Sequence, residues 1–289
     1  MMPGHDKRPH RRRWTSSCIR SPVQEVHAPR IWPSDVVRFY TRGNHQRPTA
    51  DNAAQNRDVP MPSTTDSPTG EPLHRRRPQR LKVQNFFVSQ DGVAAGEDQT
   101  LERPFGHVDP GPLTQWAGAT DSWPNRTDPG GSRGVDDHIV RDFTHNIGAE
   151  IMGSHKFSPF RGPWTSEDWK GWWGDDPPFR TPVFVLTHHL RPSFSLSDTT
   201  FHFLDASPSE ALRIAMDAAQ GKDVRLGGGV TTVLEFLEAG LVEDLHIAVA
   251  PHDIGSGLRL WTSPTDFEDR FHHESVLSPS GMEHHFFWR

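Results

Sequence analysis

The stretch that decides the fold is residues 223–251, DVRLGGGVTTVLEFLEAGLVEDLHIAVAP. Residues 224–226 predict a short buried strand, and three glycines follow it. Residues 231–239 predict a helix that ends at Gly240, and residues 244–251 predict a strand with alternating apolar side chains. A strand, a glycine turn, a helix and a second strand form a right-handed crossover, which indicates a mostly parallel sheet.

The same alternation of strands and helices extends upstream. Strands are predicted at residues 81–89, 149–152, 181–187 and 201–204, and a last, antiparallel strand at 284–289. Helices are predicted near 113–118, at 135–147 and at 208–219. The second helix is predicted from an apolar stripe formed by Val140, Phe143 and Ile147. The third is predicted to begin after Ser207, which acts as its N-cap. Residues 158–182, rich in Trp and Pro, predict a loop.

Composition excludes several classes of protein. The chain has 289 residues and no run of 18 apolar residues, which excludes a transmembrane helix. No apolar stretch of a secretory signal stands at the N-terminus. Cys18 is the single cysteine, which excludes an intramolecular disulfide and a cysteine-based zinc cluster. These features predict a cytoplasmic protein.

The charge divides the chain at residue 80. The net charge is -6, yet residues 1–80 are rich in Arg and Pro and carry about twice as many basic as acidic residues. Because their apolar residues show no period, we predict a disordered extension, followed by one acidic domain at residues 81–289. The basic segment is typical of a solvated tail, and a nucleic-acid arm or a targeting peptide is the alternative. An acidic domain would repel a phosphate backbone, so we expect no nucleic-acid partner.

The glycines at 227–229 lie between a predicted strand and the start of a helix. Unpaired backbone N–H groups and the positive end of the helix dipole favour a phosphate there. The sequence matches neither G-x-G-x-x-G nor the P-loop pattern, so a tight turn without a ligand is the alternative.

Taken together, five short motifs resemble the dihydrofolate reductase-like superfamily, in the branch of the C-terminal reductase domain of the bacterial riboflavin deaminase/reductase. In chain order they are Ser89-Gln90-Asp91-Gly92, Ile151-Met152-Gly153, Phe184-Val185-Leu186-Thr187, Leu226-Gly227-Gly228-Gly229 and Gly255-Ser256-Gly257. The resemblance implies a three-layer α/β/α fold with a mostly parallel central sheet and an antiparallel C-terminal edge strand.

The resemblance also implies NADPH as the cofactor. In such proteins the triple glycine, here Gly227, Gly228 and Gly229, faces the pyrophosphate, and Val230 and Thr231 follow it. The residues expected around the adenosine 2′-phosphate are Gly153, Ser154, His155, Lys156, Thr187 and His188. The family usually has an Arg where this chain has Ser154, and a Lys cannot replace a bidentate Arg, so the preference for NADPH over NADH stays open.

Two carboxylates are candidate catalytic residues. In the riboflavin-type reductases the loop that holds Asp91 lies over the nicotinamide and the substrate, whereas Asp91 could equally form the turn with Gly92. Counting back from Gly153 without gaps places Asp137 where dihydrofolate reductases carry an acidic residue that binds the pterin. A buried carboxylate with a raised pKa could deliver a proton, and a helix N-terminal role for Asp137 is the alternative.

Aromatic and imidazole side chains give two further hypotheses. Trp164, Trp169, Trp172 and Trp173 predict either a stacking wall for a planar heterocycle or sugar, or a loop that packs on the core or across a dimer contact. The 18 histidines include doublets whose side chains point to opposite faces of a strand, so we expect no metal site.

The sequence thus predicts a reductase in which NADPH delivers a hydride to a small heterocyclic (pterin- or pyrimidine-like) or carbonyl substrate. The alternative is a nucleotide-binding relative without turnover. The resemblance suggests a homodimer, and we expect no membrane partner.

Overall fold

The computed structural model describes residues 77–123, 129–164 and 166–289. The disorder predicted for residues 1–80 therefore lies outside the described residues, apart from 77–80. Those four residues contact the domain: the Gln79 side chain donates to the carbonyl of Met216 at 2.8 Å, and Arg80 pairs with Asp244 at 3.0 Å. Residues 77–80 thus contact the domain predicted at residues 81–289.

The strands lie at the positions that follow. They are β1 (Leu81–Ser89), β2 (Val93–Ala95), β3 (Ile147–Gly153), β4 (Pro182–Leu186), β5 (Phe194–Leu196), β6 (Thr199–Leu204), β7 (Asp223–Leu226), β8 (Asp244–Ala250), β9 (Leu258–Arg259), β10 (His272–Leu277) and β11 (Glu283–Trp288). The α-helices are α1 (Gly111–Gly118), α2 (Val135–Arg141), α3 (Ser154–Phe157), α4 (Pro208–Ala218) and α5 (Val230–Glu238). Short 3-10 helices cover Asp142–Thr144 and Pro264–Phe267. No helix in these described ranges has both the length and the apolar character needed to span a bilayer.

Nine of the strands form one mixed sheet in the order β10-β11-β8-β1-β7-β3-β4-β6-β5. The six central strands, from β8 to β6, are parallel to one another. The outer strands β11, β10 and β5 are antiparallel to their neighbours. The mostly parallel sheet and the antiparallel C-terminal strand are confirmed, although β10, which the sequence did not predict, lies outside β11 as the true edge.

Consecutive residues of one strand enter cores on opposite faces, which makes the fold three-layered. Ile151 packs with α4 and α5 on one face, whereas Met152 packs with Phe157 and Trp173 on the other. Farther along the second face, Ala248 and Ala250 pack with α1 and α2. The second face is therefore covered by two helices at one side and by the Trp-rich loop at the other.

The helix predicted at residues 135–147 is wrong in length. It ends at Arg141, a 3-10 turn follows, and Ile147 is already the first residue of β3. Phe143, which the apolar stripe placed on the helix, instead lies under the Arg225 guanidinium, whose central carbon is 3.7 Å from the ring centroid. Phe143 therefore contacts Arg225 of β7 and does not continue the apolar stripe of the helix.

An irregularity in β1 shapes the middle of the sheet. The register of β1 against β8 shifts between Val83 and Phe86, and Asn85 there has φ of 53°. A residue out of register turns neighbouring side chains away from strict alternation. Gln84, Asn85, Phe86 and Phe87 consequently all reach the cavity described below.

The N-terminal end of the parallel sheet is held by a buried carboxylate. Asp223, the first residue of β7, is only 1% exposed and accepts from Arg77 at 2.5 Å and from Lys82 at 2.9 Å. The backbone N–H of Arg80 also donates to it at 3.0 Å. Burial alone would raise the pKa of Asp223, but these donors outweigh burial and lower it.

We expect Asp223→Asn to destabilise the protein by about 2 kcal/mol, because the amide leaves two cations without their counter-charge at a buried site. Urea unfolding at pH 7 measures this. Asp217→Asn is the matched control, since Asp217 pairs with Arg213 on the exposed surface of α4 and should contribute less than about 1 kcal/mol. Equal losses in the two variants would contradict the anchoring role.

Candidate active site

The three glycines form the turn between β7 and α5, at the carboxyl ends of the parallel strands. Gly227 has no room for a side chain, because a Cβ there would lie 2.3 Å from Oε1 of Glu150. Gly228 has φ of +104°, and its peptide bond to Gly229 is cis. Gly229 is different: its φ is -71° and a Cβ would meet no protein atom within 4 Å. Protein atoms therefore fill the space beside Gly227, whereas the space beside Gly229 is open.

The end of β3 lies directly against this turn. The N–H of Gly153 donates to the carbonyl of Gly228 at 2.8 Å, and the N–H of Gly227 donates to the carbonyl of Ile151 at 2.8 Å. A Cβ on Gly153 would lie 2.3 Å from Oγ1 of Thr232 in the first turn of α5. Helix α5 has no side-chain N-cap, so its first N–H groups face the open side of the turn.

A long groove runs over this edge of the sheet. Its volume is about 780 Å³, within the range of small-molecule sites. The groove follows the ends of β3, β4 and β6 and the first turn of α5. Of the residues predicted to bind the cofactor, it is lined by Gly153, Ser154, His155, Thr187, His188, Gly229, Val230 and Thr231. Sequence reasoning missed its carboxylates, Asp205, Glu235 and Glu238, because no motif marks them.

A smaller, more apolar cavity of about 150 Å³, which we call the inner pocket, lies behind the glycine turn. Its walls are aromatic and come from β1, from the loop after β2 and from the Trp-rich loop: Phe86, Phe87, Phe105, Trp172 and Trp173. Its polar groups include the amides of Gln84, Asn85 and Gln99 and the amine of Lys156. The Oε1 atom of Gln84 is buried and finds no hydrogen-bond donor among the described residues.

The groove and the inner pocket meet. His155, Gly229, Val230 and Leu258 line both cavities. Gly227 lines the inner pocket, and Gly228 lies between its two neighbours without lining either cavity. A ligand that extends along the groove would therefore reach the aromatic pocket at Gly229.

Lys156 lies elsewhere than the resemblance implied. It lines the inner pocket, whereas the groove lining contains Ser154 and His155 but not Lys156. The short helix α3 separates these side chains, because successive residues of a helix point in different directions. His155 faces both cavities, and burial together with the nearby Arg161 charge lowers its pKa.

The Trp-rich loop lies between the core and the two cavities. Trp172 and Trp173 line the inner pocket, and Trp164 lines the groove. Trp169 packs edge-on against Trp172 at 4.9 Å and donates to the carbonyl of Phe157 at 3.0 Å. The loop therefore packs on the core and at the same time provides the wall of the cavity.

Asp91 lines neither cavity. Its carboxylate accepts from the Ser89 hydroxyl at 2.5 Å and from the backbone N–H groups of Ile254 and Gly255 at 3.0 and 2.8 Å. Burial acts to raise the pKa of Asp91, but these hydrogen bonds outweigh it and lower the pKa to about 2. The contacts of Asp91 fasten the loop after β8 to the turn after β1.

Asp137 also lies apart from both cavities. It accepts from the backbone N–H of Ser122 at 2.6 Å and pairs with Arg141 at 2.8 Å. Burial acts to raise its pKa, but these partners lower it overall, so the raised pKa expected of a proton donor is not what this environment produces. Asp137 lies in the first turn of α2, but its contacts go to Ser122 and Arg141, and no side chain caps this helix.

A buried ion pair that the sequence did not reveal supports the glycine turn. Arg225 of β7 and Glu150 of β3 are each 2% exposed, and the Arg225 Nε donates to Glu150 at 2.9 Å. Burial raises the pKa of Glu150, although the guanidinium opposes it. Because Glu150 lies against Gly227, the ion pair supports the glycine turn from the side of the protein interior.

Four of the histidines form two hydrogen-bonded chains. His246 bonds to His284 at 3.0 Å, and His284 bonds to Asp136 at 2.7 Å, all in the interior. His285, on the other face of β11, bonds to His273 at 2.9 Å. No group of three or more metal-ligating side chains occurs within the ranges described by the structure.

Residues 83–278 match the model of the RibD C-terminal domain family. The chain belongs to this family. The resemblance found in the sequence, to the riboflavin-reductase branch of the dihydrofolate reductase-like superfamily, is thereby confirmed. No curated protein matches the chain.

Solved structures with a related fold share little sequence with this RibD C-terminal domain. A protein from Shewanella sp. PV-4, described as a riboflavin biosynthesis protein, is 16% identical, with 74% of this chain and 99% of that chain covered and a TM-score of 0.45. A pyrimidine reductase-like protein from Corynebacterium diphtheriae is 14% identical, with 74% and 92% covered and a TM-score of 0.40. A deaminase/reductase from Thermotoga maritima is 11% identical, with 73% and 56% covered and a TM-score of 0.41.

The contacts of Asp91 predict a loss of stability in Asp91→Asn of about 1–2 kcal/mol at pH 7, because the amide cannot accept all three hydrogen bonds. A lowered pKa contributes stability above the unfolded pKa near 3.8 that is lost as the pH falls towards 2. The gap in thermal stability between Asp91→Asn and the unmodified protein should therefore shrink between pH 5 and pH 2. Unchanged melting with a large loss of turnover would instead make Asp91 catalytic.

Proposed function

We propose that this protein is a reductase that binds a reduced nicotinamide dinucleotide along the groove and reduces a flat heterocyclic or carbonyl substrate in the inner pocket. The observation that carries the proposal is the junction of the two cavities at His155, Gly229, Val230 and Leu258. Hydride transfer requires contact between the nicotinamide and the substrate, and a groove that joins an aromatic pocket allows that arrangement.

The residues present fit a dinucleotide. Gly229 leaves open space where any other residue would place a Cβ, so a pyrophosphate can approach the backbone. The uncapped first turn of α5, at Val230 and Thr231, offers N–H donors and the positive end of the helix dipole. Gly153 keeps that first turn close to β3.

When bound, the nicotinamide supplies the hydride. The chain has three other tasks: it positions the two partners, excludes water and provides polar contacts. Phe86, Phe105 and Trp172 exclude water from the inner pocket and offer flat faces to a planar ring. Lys156 is the single cation that lines this pocket among the described residues, and it can hold negative charge on a substrate oxygen or donate a proton to it.

The pocket favours a substrate with a hydrogen-bonding edge. The unpaired Oε1 of Gln84 can accept from a ring N–H or an exocyclic amine. Asn85 and Gln99 line the same pocket, and each amide already makes one hydrogen bond within the protein: Asn85 Oδ1 to His246 at 3.0 Å and Gln99 Nε2 to the carbonyl of Pro104 at 2.7 Å. A pterin- or pyrimidine-like ring satisfies these groups better than an aliphatic carbonyl compound does.

The alternative, a nucleotide-binding protein without turnover, would need only the groove. The cation and the unpaired amide of the inner pocket give that pocket a polarity that nucleotide binding alone does not require. Steady-state oxidation of the reduced dinucleotide in the presence of aminouracils, dihydropterins or small carbonyl compounds separates the two functions.

Gly229→Ala tests the proposed function directly. Gly229 lines both cavities and a methyl group there meets no protein atom, so we expect more than tenfold weaker binding of reduced dinucleotide with little change in thermal stability. Quenching of tryptophan fluorescence measures the binding. Gly118→Ala is the matched control, because a Cβ on Gly118, at the end of α1, also meets open space but lies outside both cavities.

Equal affinity of Gly229→Ala and the unmodified protein would place the dinucleotide elsewhere. Absence of binding by the unmodified protein at millimolar dinucleotide would overturn the proposed function.

A further inference from the structure

We propose that the groove selects NADH over NADPH and that Asp205 is the specificity-determining residue. The inference rests on the proposed function and decides between the two dinucleotides that the sequence left open. It concerns the end of the groove farthest from the inner pocket, where an adenosine ribose would lie.

Asp205 lies in a row with two residues of the neighbouring strands. Gly153 pairs with Leu186, and Leu186 pairs with Leu204, in the parallel register of β3, β4 and β6. The next residues along these strands, Ser154, Thr187 and Asp205, therefore stand side by side at the edge of the sheet. Adjacent strands are about 4.8 Å apart, so a group resting on Ser154 and Thr187 lies within one or two strand spacings of the Asp205 carboxylate.

Among the described residues, the basic side chains that line the groove are the imidazoles of His155, His188 and His189. Among the described residues that line it there is no Lys or Arg, whereas Asp205, Glu235 and Glu238 line it. A 2′-phosphate carries close to two negative charges at neutral pH, and carboxylates at this distance repel it. A carboxylate is, by contrast, a good acceptor for the two hydroxyl groups of an unmodified ribose, as in dinucleotide folds that prefer NAD.

Two cations, Lys156 and Arg161, are close to groove residues in the chain but do not line the groove, although Phe160 and Gly162 on either side of Arg161 do. Lys156 lines the inner pocket, and Arg161 lines a separate small hollow beside His155 and Trp172. The pKa of His155 is lowered by burial and by Arg161, so its ring is neutral at pH 7. Nδ1 of His188 lies 2.9 Å from Oδ1 of Asp205, which orients the imidazole towards the carboxylate.

The experiment compares the dissociation constants of NADH and NADPH by tryptophan fluorescence in low salt at pH 7.5. We expect NADH to bind at least tenfold more tightly. Asp205→Asn should reduce the ratio to below about threefold, mainly through tighter NADPH binding, and Ser154→Arg should favour NADPH further by adding a bidentate phosphate donor. Asp217→Asn, which removes the same charge from the exposed surface of α4, should leave the ratio unchanged.

The outcomes separate this inference from the proposed function. If NADPH binds as tightly as NADH, or more tightly, the selectivity is refuted while the reductase function stands. If NADH is preferred but Asp205→Asn keeps the full ratio, Asp205 is not the determinant. If neither dinucleotide binds, the proposed function itself fails.

Discussion

The close approach of Gly153 to the first turn of α5 is the constraint on which the site depends. A side chain at Gly153 would collide with the Thr232 hydroxyl, and one at Gly227 would collide with Glu150. Because both positions lack side chains, the ends of β3 and β7 and the start of α5 converge on one point, joined by hydrogen bonds between their backbones. The first turn of α5, whose N–H groups no side chain caps, thereby lines the groove. The buried Arg225–Glu150 pair holds the floor of this convergence in place.

The groove and the inner pocket differ in the charge of the side chains that line them. Carboxylates line the outer groove, whereas aromatic rings and the Lys156 amine line the inner pocket. The first arrangement suits the hydroxyl groups of a ribose, and the second suits a planar ring that gains negative charge as it is reduced. The register of the parallel strands determines which residues lie at the Asp205 end of the groove. Two loops and the irregular middle of β1 form the inner pocket. Strands and a helix thus form the side proposed for the cofactor, and loops form much of the side proposed for the substrate.

The sequence predicted the parallel sheet and most of its elements because these depend on local patterns. The alternation in β8, the Ser207 cap of α4 and the glycines before α5 are each local, and the structure shows each element there. The end of α2 could not be predicted, since Phe143 leaves the helical pattern to stack on Arg225 of a distant strand. Strand β10 was missed because its residues are mostly exposed and carry no apolar alternation. In the site, the glycines and the residues at strand ends were found from motifs, whereas Gln84, Asn85 and Asp205 reach it through sheet register and a bulge that no motif records.

A crystal structure of the protein with bound NADH tests the central claim most directly. We expect the pyrophosphate at the glycine turn and the N-terminus of α5, and the adenosine ribose beside Asp205. We also expect the nicotinamide at the junction formed by His155, Gly229, Val230 and Leu258. A dinucleotide bound outside the groove, or one whose nicotinamide lies at the outer end and whose adenosine lies at the inner pocket, would contradict the account.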